Sequence, residues 1–558
     1  MIRNIQRYRL RILTTVLALV VAHVAMAQQE QWGDGGEIES VEIEIVKERQ
    51  ITLPRANRNF DKIPPRPAEP ILPPMTYDFK GFRFNTPDFQ PSIKPLKLKQ
   101  EELQKITSGY VSGGFGNFAS PFLSASISSK RNANRHYGAD FLHRSFGSGP
   151  VGDKNSASGN TNLGLFMSGI NDAIAASMKV NYENRVNHFY GYQPSKQEVK
   201  RDTIRQVFNT FSLAGLIENA KPSDFNYQLK GTFSYLTDYY RAVESDAGVG
   251  FNSQYKVSEK NQVLFTTDYR LLARKDSLVE AKPRHLFKVG AGYQFAAIDK
   301  LNVRAGLLVA YENDTVGKNN AVHVYPDIYA TYQLSKTVEA FGGFGGDMER
   351  VSLHSLSKEN PWVNSNINIF HANKALDISA GLNGRVGAAF LFKLGVAAKA
   401  YQNLYFFKNH VGQPEKFDVI YDDVTITNPF GEWGFKKGEK VSITMRGEYF
   451  AYSMKREAEA WHRPDYRVSL YSNFNMANKL TLAANLIGQG GMKAFNSTTN
   501  KVVTLKTAMD LQLRATYFVS KNFSCYVEGN NLLNSNYPLF LNYPVRGLQV
   551  SGGVGWSF

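Results

Sequence analysis

From about Thr107 to Phe558 the chain alternates apolar and polar residues with a period of two. Phe225, Tyr227, Leu229, Gly231, Phe233 and Tyr235 alternate with Asn226, Gln228, Lys230, Thr232 and Ser234. Val441 to Tyr449 and Met509 to Tyr517 repeat the pattern. Successive side chains of a strand point to opposite faces, so each ribbon has one apolar, aromatic face and one polar, often charged face. In a soluble sandwich the apolar face would form a dry core. In a transmembrane barrel it would meet lipid, and the polar face would line the interior.

Three features favour the barrel. The alternating runs are commonly 10 to 16 residues long, against about 5–6 for strands of soluble proteins. Aromatic pairs gather near run ends, at Tyr239-Tyr240, Tyr405-Phe406-Phe407, Tyr449-Phe450 and Tyr517-Phe518, which suits interfacial girdles. The connections also alternate between short and long. Short ones fall near 171–172, 221–224, 258–261, 299–300, 335–336, 436–439, 477–479 and 520–522. Long ones fall near 147–158, 191–203, 273–283, 352–368, 405–417, 453–465, 488–500 and 534–545. At the end of the chain Leu548, Val550, Gly552, Val554, Trp556 and Phe558 share one face. A strand there can close on the first one and remove both sheet edges. Val554, Trp556 and the terminal Phe558 form the aromatic pattern that barrel-assembly machinery reads. The expected fold is all-β: a transmembrane antiparallel β-barrel of about 22 strands (18–22), preceded by a Pro-rich extended segment.

That segment differs from the rest. Arg3, Arg7, Arg9 and Arg11 precede an apolar stretch from Ile12 to Val24, and Ala25-Met26-Ala27 has small residues flanking one larger one. This is the pattern of a signal peptide cut between Ala27 and Gln28. Residues 28–105 begin acidic and then carry ten of the chain's 22 prolines between Pro54 and Pro95. Proline fixes φ and removes a donor, so an extended segment without its own core is expected. Phe60, Phe79, Phe82, Phe84 and Phe89 equip it to dock on another surface. The expected organisation is a signal peptide at 1–27, a periplasmic or lumenal segment at 28–105, and a barrel at 106–558.

Composition excludes several alternatives. One cysteine rules out a disulfide framework and a cysteine-built metal site. After the leader no run of about 18 apolar residues occurs, so a helical span is not expected. The formal charge is +16, but Lys and Arg are scattered along alternating strands and not grouped on one element, so no nucleic-acid partner is expected. Cations lining a polar wall, or facing anionic lipid headgroups, account for the excess better. The run Gly342 to Gly346 is followed by Asp347, not by the Lys-Ser or Lys-Thr of a phosphate loop. His136 and His143 fall on opposite strand faces. His354 and His371 flank a loop and are expected to be solvated, Asp422 and Asp423 to point apart on the surface, and Cys525 to sit with Phe523 and Val527. No enzyme activity, cofactor or metal is expected. Loop binding is expected at 145–160, which is Gly- and Ser-rich, and at 355–370, which carries Trp362.

Two stretches carry a family resemblance. Gly529 to Tyr537 (GNNLLNSNY) is similar to the N-L-x-N-x-x-Y signature before the last strand of TonB-dependent receptors, and Gly553 to Phe558 is similar to their closing strand. Val41 to Pro65 and Tyr110 to Ser120 resemble plug-less, TonB-dependent-receptor-like barrels of the Bacteroidota type. The resemblance implies an outer-membrane location and a solute-transport, channel or receptor role. The alternative is a non-transport accessory subunit of an outer-membrane assembly or export complex, docking a periplasmic or outer-membrane protein through residues 28–105. Those residues are too few and too Pro-rich for the usual folded plug, yet natural barrels of this size are plugged. The tail, inward-folded loops or a partner protein is therefore expected to obstruct the pore.

Overall fold

The computed structural model describes residues 108–558, apart from 131, 133, 152–153, 193–198, 315–319 and 478. The expected signal-cleavage pair Ala27 and Gln28, and the segment 28–105, lie outside the described residues.

The first strand, Gly109–Gly116, pairs antiparallel with the last, Gln549–Ser557, from Tyr110 opposite Ser557 to Gly116 opposite Ser551. Every other neighbour follows in chain order, so the sheet is a closed antiparallel barrel of 22 strands. Its seventeenth strand is interrupted at Phe450, and both pieces, Val441–Tyr449 and Ala451–Met454, pair with Gln413–Lys437. Closure leaves no open ladder edge. Both ends of the described chain lie at one rim, where the Phe558 carbonyl accepts the Ser108 and Gly109 N–H groups at 2.8 and 2.9 Å.

The alternation is realised face by face. Tyr137, Met167, Leu307, Val527 and Trp556 project outward and are exposed, while charged and amide side chains face in. Val554, Trp556 and Phe558 share the outward face and are about half exposed. The Trp556 ring lies 6.2 Å from that of Phe523. Cys525 sits between Phe523 and Val527 on the same outward face.

At the rim that carries both ends of the described chain, several tight turns are made by their own side chains. Asn171 accepts the N–H groups of Ala173 and Ile174, Ser335 those of Thr337 and Val338, and Ser520 those of Asn522 and Phe523. A side-chain oxygen that replaces a backbone acceptor two or three residues on is what makes Asn and Ser turn residues. All eight short connections fall at this rim.

The opposite rim holds the long connections, with one correction. The stretch 405–417 is not a loop. Phe390–His410 and Gln413–Lys437 form a single hairpin turning at Val411-Gly412, where Gly412 has φ +86°. Tyr405-Phe406-Phe407 is therefore no interfacial girdle. A register shift between Tyr401 and Leu404 carries the hairpin on past the rim, and other loops cover both of its faces. The adjacent Phe406 and Phe407 are consequently both buried. Three further connections at this rim, at 117–119, 239–242 and 313–321, were not anticipated.

The two faces make unequal demands on a charge. Replacing the outward, mid-strand Leu513 by Arg is expected to lower unfolding free energy in lipid vesicles by about 2–4 kcal/mol. Asn485→Arg, on the inner face beside Gln512, should change it far less. Urea unfolding in vesicles, followed by tryptophan fluorescence, checks the difference.

Candidate functional site

The loops at the far rim fold over the mouth of the barrel and share one hydrophobic core. Phe189, Phe208, Trp362, Phe406, Phe407, Phe417, Trp461 and Tyr543 are its buried aromatic members. Trp362 and Tyr543 stack with centroids 3.8 Å apart. Trp362 belongs to the connection between the thirteenth and fourteenth barrel strands, and Tyr543 to that between the twenty-first and twenty-second. Loops rooted so far apart around the ring meet only across the opening.

Polar contacts fix the same arrangement. The Trp362 indole N–H donates to the His188 carbonyl at 2.9 Å, and the Tyr190 hydroxyl to that of Pro544 at 3.1 Å. The Tyr543 hydroxyl donates to the Glu415 carbonyl at the tip of the long hairpin. Arg546 ties the last loop to the loop at 147–157 through the carbonyls of Ser148 and Ser156.

The segment 350–371 is the centre of this cap. Its one helix, α1 (Leu353–Glu359), starts where Ser352 and Ser355 form a capping box, and it buries Leu353 and Leu356. The wall supplies a second cap. The buried Glu244 carboxylate accepts the Leu353 and His354 N–H groups at 2.7 and 3.0 Å. A negative charge there meets the positive end of the helix.

Other charged residues of the wall grip the same segment by its backbone. Arg185 donates to the Ser357 carbonyl and hydroxyl, both at 2.9 Å. Arg274 donates to the Ile367 carbonyl at 2.5 Å, and Arg284 to that of Val351 at 2.8 Å. Asp276 accepts the Asn366 N–H, and Asp314 the His371 N–H. Charge-assisted bonds to backbone are about twice as strong as neutral ones, and here four barrel strands supply most of them. The segment is latched to the wall.

Below the cap, cations of the inner wall stand opposite carboxylates. Arg144 and Arg514 flank Glu528, Glu432 and Glu448 flank Arg446, Lys288 meets Asp347, and Arg304 meets Asp327. The basic excess is therefore locally balanced along these stretches.

The residues singled out from the sequence fall into this scheme. Trp362 is structured, as expected, but it is buried in the cap and not presented to a ligand. His371 is not solvated: it is fully buried, and its Nδ1 accepts the Val351 N–H. His354 lies 3.8 Å from Glu183. Asp422 and Asp423 do point apart, yet Asp422 is buried and accepts the N–H groups of Arg456 and Glu457. His136 faces in, and His143 faces out to Thr161. The signature Asn531 to Tyr537 folds the last loop. Asn531 donates to the carbonyls of Ser535 and Arg546, Asn534 accepts the Leu548 N–H, and Tyr537 donates to Asp510. Among the described residues no group of three or more metal-ligating side chains occurs. Glu244, Arg274 and Arg284 carried no local signal, because their partners are remote in sequence.

A family of proteins of unknown function, DUF481, matches residues 209–357. No curated protein matches. Several solved structures share the fold. The ferric-catecholate import receptor Fiu from E. coli K12 is 8% identical with a TM-score of 0.62, over 82% of each chain. The siderophore receptor PirA from Acinetobacter baumannii is 11% identical with a TM-score of 0.63, over 82% of this chain and 81% of its own. The FrpB iron transporter from Neisseria meningitidis is 9% identical with a TM-score of 0.63, over 82% of each chain.

The cap core contains a pH-sensitive residue. Burial pushes the His462 imidazole down to about 4. Its Nδ1 bonds the Phe407 carbonyl, and its Nε2 accepts the Leu541 N–H. An unfolded imidazole titrates near 6.5, so as pH falls through that value the opened chain takes up the proton first. This contribution to cap stability is complete above about pH 6.5 and is lost progressively down to about 4. Proteolysis of the far-rim loops should accelerate over this window, and His462→Gln should flatten the dependence.

Proposed function

We propose that the chain is an outer-membrane β-barrel related to TonB-dependent receptors, with a solute-transport or receptor role. The rim that carries both ends of the described chain faces the periplasm, and the loop cap faces the outside. An apolar outward belt around a charged interior supports the membrane setting, since that belt has hydrocarbon as its natural solvent. The fold shared with receptors and transporters supports the role.

The observation that carries the reading is the latched cap. Barrels of this size are plugged, and the segment 350–371, bound by Glu244, Arg185, Arg274 and Arg284, acts here as an obstruction at the surface end. Passage of a solute then requires the cap to open. Residues 1–27 act as the export signal, cut between Ala27 and Gln28. Residues 28–105 are the periplasmic or lumenal segment, and 106–558 the barrel. Val554, Trp556 and Phe558 present the assembly signal to the barrel-assembly machinery.

One feature favours the accessory-subunit reading. The cap is built as a hydrophobic core and not as a hinged flap, which suits a permanently sealed barrel that docks a partner through residues 28–105.

Planar-bilayer recordings test the role of the cap. The wild-type chain should stay closed. Replacing 353–367 by a short Gly-Ser linker, or combining Glu244→Ala with Arg274→Ala, should give a steady large conductance. Unchanged closure in both variants would remove the cap as the obstruction. Deleting 28–105 in the same assay measures the tail's share. Affinity purification from outer membranes separates the two readings: a stoichiometric partner lost with 28–105 supports the subunit, and a solitary barrel with solute-dependent conductance supports transport.

A further inference from the structure

On the outward face of barrel strands two to seven, the register aligns bulky and small residues in rows. One row runs Tyr137, Met167, Met178, Gly215, Gly231. The row nearer the terminus rim runs Arg135, Gly169, Ala176, Ile217, Leu229. The result is an apolar groove made of two adjoining depressions of about 700 and 580 Å³. Tyr137, Met167 and Met178 border both.

The floor of the groove is bare for no backbone reason. Pairing across Gly215 and Gly231 is regular, and neither has a positive φ. A Cβ on Gly231 would meet nothing within 4 Å, and one on Gly215 only a carbonyl at 4.0 Å. Glycine weakens a strand, and where no bulge requires it, it marks close approach of another group.

At the terminus-rim end the groove changes character. Lys130 and Arg135 are exposed there beside Ser128 and Ser129, and neither cation has an ion-pair partner among the described residues. Two free cations above an apolar slot match a ligand with an anionic head and hydrocarbon tails. We propose that this groove binds one acidic glycerophospholipid of the periplasmic leaflet, with its phosphate at Lys130 and Arg135 and its acyl chains over Gly215 and Gly231. The inference rests on the outer-membrane reading above.

The test uses the full mature chain in liposomes of equimolar phosphatidylglycerol and phosphatidylethanolamine, extracted in mild detergent and weighed by native mass spectrometry. Heat-modifiable migration and protease protection report folding and insertion first. The wild type should retain one phosphatidylglycerol in preference to phosphatidylethanolamine. Lys130→Gln and Arg135→Gln should each reduce that preference about fivefold, the share of one cation near a lipid headgroup. Gly215→Leu with Gly231→Leu fills the slot where space is open, and it should abolish retention of either lipid while insertion is unchanged. An inserted wild type with no preference, or variants that keep the wild-type ratio, would overturn the groove alone. So would a lipid-free dimer cross-linked through Met178→Cys, because a second copy would then occupy the face. A chain that folds but does not insert would take down the membrane reading and the groove together.

Discussion

Every described part of this protein depends on one constraint: a strand ladder in an apolar medium can leave no backbone group unpaired. Pairing of Gly109–Gly116 with Gln549–Ser557 satisfies it by making the sheet endless. With the ring closed, period-two sequences can turn one face to the outside and one to the lumen over hundreds of residues. The arrangement needs no dry core inside the barrel. The large apolar core of the molecule stands at one mouth, where chain leaves the ladder and must satisfy itself by other means.

The mouth uses the charged lumen to do so. A wall of Arg, Asp and Glu would be a poor partner for loose apolar loops. It is a good partner for backbone, and the loop at 350–371 presents backbone to it at several points while turning Leu353, Leu356 and Trp362 away into the shared core. The cap is amphipathic in the same sense as the strands beneath it, with a polar underside toward the wall and an apolar body toward the other loops.

Much of the ring was legible in the sequence. Alternation placed the faces, and short breaks in it placed eight of the tight connections. The outward setting of Cys525 and the opposite faces of His136 and His143 follow from period two alone, whereas the count of strands came out as a range, 18 to 22, because three far-rim connections leave no clear break in the alternation. The cap was not legible. Its bonds join residues 109 apart at Glu244–Leu353, 172 apart at Arg185–Ser357 and 174 apart at His188–Trp362. No local window contains both members of such a pair. Locally, Phe406-Phe407 has the composition of a membrane girdle, and only the register shift before Leu404 shows that the hairpin has left the belt. The Asn531 to Tyr537 signature was visible as a motif, but its work, pinning the last loop through Asn531 and Asn534, required coordinates.

The stacking of Trp362 on Tyr543 has a consequence for how the chain matures. These rings come from segments about 180 residues apart, and Tyr543 precedes only the final strand. They can meet only once nearly the whole ring has been delivered, because all but the last strand precede Tyr543 in the chain. Cap formation is thus a late event, and an intermediate stalled before it would leave two large aromatic surfaces unsheltered. Such an intermediate would be marked by its own stickiness, a ready handle for chaperones and proteases that patrol the compartment.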